Sequence, residues 1–439
     1  MLEVTGARLH IIDAATTVDG GSLLLDGAVV AEIGTPRPEG VETLDADGCV
    51  VTPGLVNAHH HLLQSAFRTL PGTRGVPMAD WLPAMAMAYT AAGIDASLLS
   101  ASAAVGVAEG LLDGVTTVAD HHLNWPLEGS IDATVAIARA TAEATARLGG
   151  RLALVRGSAR DEPGRAAASA EAIVGDLVPG AVGGITANGM LQVAVGPAGV
   201  HSDSAETFAA FAEVAARHHL RRRTQANEQV DTAIAVERYG RRPLELLEAW
   251  GWLAPDVTIA HCCDVHDDEI RALAAAAVTV THAPGCDVSM GWGIAPVHRM
   301  LDAGITVGLG TSGGGSNDAG HLLADARLAM QVSALVGPQL PARTLLDAAT
   351  AGGAVGLGRP ELGHLRPGAA ADLCVWDVSG VADAGVADPV AGLLWANPGR
   401  RPRHVVVAGR VVVRDGRLVG ADEADLVAVL RRRMGAAAA

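Results

Sequence analysis

The chain contains no lysine: its 32 formal cations other than histidine are all arginine, set against 48 acidic residues. The resulting charge of -16 excludes the basic surface that a phosphate backbone requires, so nucleic acid is not an expected partner. Aromatic residues make up only 3%, and the 49% hydrophobic share rests largely on alanine. Long apolar runs are missing too. The segment from Ala101 to Leu112 comes closest, Glu109 interrupts it, and it falls short of the ~20 residues of a membrane helix. The Met1-Leu2-Glu3 start lacks the basic residues of a signal peptide. The five cysteines have no regular spacing and do not form a disulfide framework. These absences lead to the expectation of a soluble cytoplasmic protein with no membrane partner.

What is present is alternation. Across 439 residues, enough for a barrel plus a smaller domain, eight apolar, β-branched runs recur. They are Leu55-Val56, Val115–Val118, Leu152–Val155, Leu191–Val195, Leu220–Thr224, Val257–Ala260, Val278–Thr281 and Ile305–Leu309. Helix-like segments such as Ala205–Ala216 and Pro243–Trp250 separate them. Strand and helix alternating in this way predict an α/β fold, a (β/α)8 TIM-like barrel over residues 53–359. Residues 1–52 and 360–439 read instead as short strands with glycine turns, for example His404–Val413. The economical reading is a small β-sandwich domain built from both termini. The tail after Leu430 reads as a fraying helix end, with Arg431–Arg433 a solvated face.

The polar residues respect this frame. The first run ends at His59-His60-His61, and strand alternation points His59 and His61 to one side, half of a metal site. The second ends at Asp120-His121-His122, the fifth runs into Gln225-Ala226-Asn227-Glu228, the sixth ends at His261 and the seventh at His282. The eighth ends at Thr311-Ser312. In a barrel such positions converge on one rim, where the chemistry of these folds is done. Blander readings stand beside these. Glu228 could pair with Arg221, Arg222 or Arg223, His282 could be structural, and one of His121 and His122 could face away from the pocket. Cys262, Cys263 and Cys286 read as small buried hydrophobes, and Asp318 as a loop-fixing carboxylate.

Pro53–Gln64, Thr116–His122, Ala260-His261-Cys262, Gly293–Val297, Ser316-Asn317-Asp318 and Leu365–Asp372 together resemble the amidohydrolase superfamily. The branch is that of triazine hydrolases and of guanine and 8-oxoguanine deaminases. The resemblance implies one divalent metal ion, zinc or else iron, held by the paired histidines, a fifth-strand histidine and an eighth-strand aspartate. It further implies a proton-shuttling glutamate and a sixth-strand histidine that polarises the substrate. His59 and His61 match the pair, Glu228 the shuttle and His261 the polarising histidine, while Gln64 and Trp81 match substrate-lining positions. Gln225 and Ser312 stand where the family has its histidine and aspartate. Ser312 cannot accept a proton as a carboxylate does, and a glutamine oxygen is a weaker zinc donor than imidazole. The metal is therefore expected on His59, His61 and His261, or more weakly with Gln225 as an oxygen donor, or not at all. His121, His122, Gln225 and Ser312 are expected to line the pocket.

The leading expectation is a metal-dependent hydrolase cleaving a C–N bond at an amidine-like or cyclic amide carbon of a purine- or triazine-like small molecule. The alanine- and glycine-rich composition of a GC-rich genome suggests a second role, in peptide natural-product maturation: removal of a follower peptide from a macrocyclic amidine, of the bottromycin type. A third is a non-catalytic barrel that binds a ligand or partner. Look-alikes suggest a homodimer.

Overall fold

The structure is a computed structural model, and it describes residues 1–34, 40–126 and 129–437. All eight expected barrel strands form, and several run further into their polar ends than the apolar runs indicate. In order they are Leu55–His61, Val115–His122, Arg151–Ser158, Leu191–Pro197, Arg222–Ala226, Val257–His261, Thr279–His282 and a broken eighth, Val307–Leu309 with Ser312–Gly313. Each pairs in parallel with the next. The two pieces of the eighth divide the closure: Val307–Leu309 pairs with the seventh strand, and Ser312–Gly313 with the first, in the register Ser312 to His60 and Gly313 to His61. The (β/α)8 barrel is thereby closed.

Helices cover the outside for local reasons. Ile131–Leu148 begins where the Ser130 hydroxyl accepts the Ala133 N–H, and it stops at Gly149, which takes a left-handed φ of 79°. Between those ends Thr134, Ile137, Ala138, Thr141, Ala144, Thr145 and Leu148 form one buried stripe at helical spacing. Among the described residues no single helix is long and apolar enough to cross a membrane.

The terminal segments form two further sheets. One contains four strands from the N-terminal segment; the other interleaves Cys49–Pro53 and its N-terminal neighbours with Leu373–Asp377, His404–Val407 and Arg410–Arg414. Period-two alternation divides the mixed sheet between two cores. Val51, Leu373, Val375 and Val406 face Val4, Leu23, Leu25 and Leu44 of the smaller sheet, as in a sandwich. Their neighbours Val50, Cys374, Trp376, Val405 and Val407 face the barrel side. The expected fraying of the tail falls partly on residues 438–439, which lie outside the described residues. Glu423–Ala437 is one helix, and Arg433 donates to the Ala92 and Gly93 carbonyls at 3.1 and 2.8 Å.

A buried ion pair joins the two regions. Arg151, opening the third barrel strand, grips Asp372 with two hydrogen bonds of 2.7 and 2.9 Å, and Asp372 also accepts the Ala408 N–H at 2.7 Å. Removing one member of a buried pair strands the other charge in low dielectric. Asp372→Ala is expected to lower unfolding free energy by about 3–5 kcal/mol, measured by denaturant titration. A change under about 1 kcal/mol would mean that water reaches the guanidinium.

Candidate metal and active site

The first strand delivers the histidine pair. The His59 and His61 rings stand edge to face with centroids 4.9 Å apart. His61 donates its Nδ1–H to the His121 carbonyl at 2.7 Å, which leaves Nε2 with its lone pair, and among the described residues the buried Nε2 of His59 has no partner. Burial holds both rings neutral: His59 lies well below the ordinary imidazole value and His61 near about 4. Neutral imidazole with its second nitrogen tied to a carbonyl is the form that ligates metal. His60 points the other way, with Nδ1 2.9 Å from the Thr311 hydroxyl.

The fifth strand brings Gln225 and, just beyond it, Glu228. A carboxylate clamp shapes that turn: Asp231 accepts the backbone N–H groups of Asn227 at 2.7 Å and Glu228 at 2.5 Å. Asn227 and Gln229 take left-handed φ values of 58° and 72° on either side. Both Glu228 oxygens are buried and, among the described residues, without a hydrogen-bond partner. The three neighbouring arginines are engaged elsewhere: Arg221 with the Pro255 carbonyl, Arg222 with Asp256, and Arg223 with the Ala58 and Gly356 carbonyls. The salt-bridge reading of Glu228 therefore does not hold. Burial pushes its carboxyl up to about 8; His261 opposes that rise, while Asp231 and Asp287 add to it.

The sixth strand ends in His261, completely buried and at a φ of 75°. Its Nδ1 lies 2.6 Å from Asp287 Oδ1. Its Nε2 lies 3.1 Å from Gln225 Oε1 and 3.5 Å from Glu228 Oε1. Burial works against a charge on this ring, yet Asp287 and Glu228 outweigh it and raise its affinity for a proton. The ring is 5.1 Å from that of His59, but both His261 nitrogens already face protein groups. Left-handed backbone recurs here at Cys262 and Ser312 as well, and such strain in non-glycine residues concentrates where a site over-determines the chain.

The other expected residues divide. His121 joins the site, its ring 5.9 Å from His59 and its Nε2 2.9 Å from the Gly196 carbonyl. His122 turns away and stands edge-on to Trp125 at 4.4 Å. Gln64 and Trp81 converge on Gly315, Gln64 Oε1 accepting its N–H and Trp81 Nε1 donating to its carbonyl, each at 3.0 Å. Ser312 lies 3.5 Å from the Ser316 hydroxyl. Asp318 fixes a loop, as expected, by accepting the Thr69 N–H at 2.7 Å and pairing with Arg74. Three neighbours of the site escaped the sequence reading: Asp287, Trp292 with its ring 5.1 Å from His261, and His201, whose Nδ1 is buried and unpartnered. All three follow barrel strands outside any apolar periodicity, Asp287 in a short helix and the other two in loops; for Asp287 the available signal was a carboxylate five residues beyond His282.

Comparison with known proteins gives a consistent result. A profile described as the amidohydrolase family matches residues 50–412. The chain is 33% identical to 8-oxoguanine deaminase of Pseudomonas aeruginosa, over 97% of this chain and 95% of that protein. It is 33% identical to 5-methylthioadenosine/S-adenosylhomocysteine deaminase of Nitratidesulfovibrio vulgaris, over 95% and 93%. Atrazine chlorohydrolase TrzN of Arthrobacter aurescens TC1, solved with zinc, superimposes with a TM-score of 0.92 at 34% identity, covering 99% of this chain and 100% of that one. None of these three is named for peptide maturation or for a binding role, so neither alternative reading gains support.

Asp120 offers a test of the low dielectric at this rim. Its carboxyl is fully buried and accepts one N–H, from Leu62 at 2.8 Å; burial pushes it from 3.8 up to about 7. Between those values the folded protein keeps a proton that the unfolded chain has released, so stability falls as pH rises through that window. Asp120→Asn is expected to flatten this limb in urea titrations run from pH 4.5 to 7. An unchanged slope would contradict the assignment.

Proposed function

The chain belongs to the amidohydrolase family, and from that premise we propose that it hydrolyses an exocyclic C–N bond on a small nitrogen heteroaromatic, with Glu228 moving the protons. The compounds for which its relatives are named, 8-oxoguanine, 5-methylthioadenosine and atrazine, are all nitrogen heteroaromatics. The observation that carries the reading is Glu228 itself: a buried carboxyl with neither oxygen hydrogen-bonded among the described residues, 3.5 Å from His261 Nε2, whose ring is 5.1 Å from that of His59 with its unpartnered Nε2. Groups left unpaired in the interior are costly, and this cluster is arranged for something that arrives from outside.

The donors fit a divalent cation. Two neutral imidazoles 4.9 Å apart with one nitrogen orphaned suit zinc, which favours nitrogen. His59 and His61 would hold it, with Gln225 and Ser312 offering only neutral oxygens nearby. A cation bound there supplies the Lewis acidity that makes water a nucleophile near neutral pH.

The chain's own groups do the remaining work. Ser312 is neutral and cannot take a proton from water, so Glu228 is the carboxylate left to accept it and return it to the leaving amine. A carboxyl balanced near about 8 exchanges protons readily at physiological pH. His261, held by Asp287, presents Nε2–H toward the charge that develops on the ring undergoing attack. Trp292 and Met78, in one buried apolar cluster with Ala283 and Cys286, exclude water from that side.

Ammonia release from a panel of aminopurines and aminotriazines tests this reading. Glu228→Gln is expected to lower turnover by about 10²–10⁴-fold and to leave the zinc content by mass spectrometry intact, whereas His59→Ala loses the zinc. A silent panel with zinc-loaded protein would overturn the substrate class, and an active Glu228→Gln would overturn the role of the glutamate.

A further inference from the structure

We propose that Asp287 is the positioning residue of this site: from the loop after the seventh strand it fixes the His261 ring so that Nε2–H is aimed at Gln225 and Glu228. The inference rests on the hydrolase reading above and adds a residue to it.

The geometry is specific. Asp287 is fully buried, and its Oδ1 lies 2.6 Å from His261 Nδ1. An ionised carboxylate only accepts, so the hydrogen sits on Nδ1 and the other nitrogen faces the site. The second oxygen, Oδ2, lies 3.2 Å from His282 Nδ1, so a second imidazole flanks the carboxylate and limits its rotation. The backbone holds it as well. Asp287 lies in the short helix Pro284–Ser289, donates its N–H to the Ala283 carbonyl at 3.0 Å, and accepts the Trp292 N–H at 2.9 Å. The same residue thus sets the tautomer of His261 and anchors the loop whose tryptophan ring stands edge-on to it.

This placement gives Gln225 a purpose other than ligation. With Oε1 3.1 Å from His261 Nε2, the glutamine accepts what Asp287 has oriented, and the ring is gripped at both nitrogens. The Cys286 thiol beside Asp287 contacts the hydroxyls of Ser312 and Ser316. A competing reading makes His261, Cys286 and Asp287 a metal site, since ligand-type atoms of the three lie within 4.8 Å of one another. The 2.6 Å contact is a hydrogen-bond distance, whereas two donors on one tetrahedral zinc, each with a bond of about 2 Å, stand about 3.3 Å apart. Burial also pushes the Cys286 thiol up, away from the thiolate that zinc requires.

The test uses the full chain prepared with zinc, as wild type and as Asp287→Asn, Asp287→Ala and Cys286→Ser. Its readouts are the imidazole NMR signals, the zinc content and turnover on the panel above. The expected result is a downfield Nδ1 proton, assigned to His261 by its loss in His261→Gln, that moves upfield in Asp287→Asn and vanishes in Asp287→Ala. Zinc content stays unchanged in all three variants, and Cys286→Ser keeps the wild-type spectrum. Turnover falls about 10- to 100-fold in Asp287→Asn, in kcat more than in KM. An Nδ1 signal unmoved by Asp287→Asn would overturn the proposal, as would zinc lost from both Asp287→Asn and Cys286→Ser. Circular dichroism identifies a misfolded Asp287→Ala, in which case the near-isosteric asparagine decides. The NMR and zinc readouts stand even with a silent panel, and an active enzyme with an unmoved signal removes only the role of Asp287.

Discussion

The parallel pairing of Ser312–Gly313 with His60–His61 is the contact on which the site depends, because it closes the barrel at the point where the histidine pair leaves the sheet. The eighth strand reaches that register only by breaking at Gly310-Thr311. A Cβ on Gly310 would lie 2.7 Å from the Cβ of His59, so glycine there is a matter of space. Asn57 and Thr311 then lock the seam with hydrogen bonds of 2.7 and 3.2 Å. With the ring closed, groups spread over some two hundred residues of sequence meet at one rim. His59 and His61 come from the first strand, Gln225 and Glu228 from the fifth, His261 from the sixth and Asp287 from the loop after the seventh.

The second constraint is electrostatic. The side chains of the rim are almost fully buried, so each charge must be matched or suppressed. Suppression governs the histidine pair: burial first, then mutual repulsion, then the Arg223 guanidinium keep His59 neutral. Arg223 faces the barrel interior one layer below Gln225, held by backbone carbonyls, and among the described residues no carboxylate pairs with it. Matching governs the other half, where Asp287 and Glu228 flank the imidazole of His261. On the proposed reading one side of the site receives a cation and the other holds and passes a proton, the complementary halves of hydrolysis by activated water.

The alternation of apolar runs made the barrel legible, and all eight runs became strands. Their polar ends were less visible, because His59–His61 and Asp120–His122 continue as strand after the apolar signal stops. Residues of the site that lie on strand ends, His59, His61, Gln225 and His261, could be placed by that position, with parity adding only that His59 and His61 share a face. Asp287, Trp292 and His201 could not, since they lie beyond the strand ends, where only the closed fold decides proximity. Sequence position also could not separate His121 from His122; the adjacent side chains diverge, one toward His61 and the other onto Trp125. The terminal β sheets illustrate the same limit. Their alternating valines were plain, but only the pairing of both termini shows one sheet serving two cores.

The central claim is that a cation belongs on the His59 and His61 nitrogens while His261 stays with Asp287 and Gln225. Anomalous diffraction at the zinc edge, on crystals of the zinc-loaded chain, tests it most directly. The account predicts one peak about 2.0–2.1 Å from the Nε2 atoms of His59 and His61, with the contact between His261 and Asp287 intact. A peak among His261, Cys286 and Asp287, or none at the histidine pair, would contradict it.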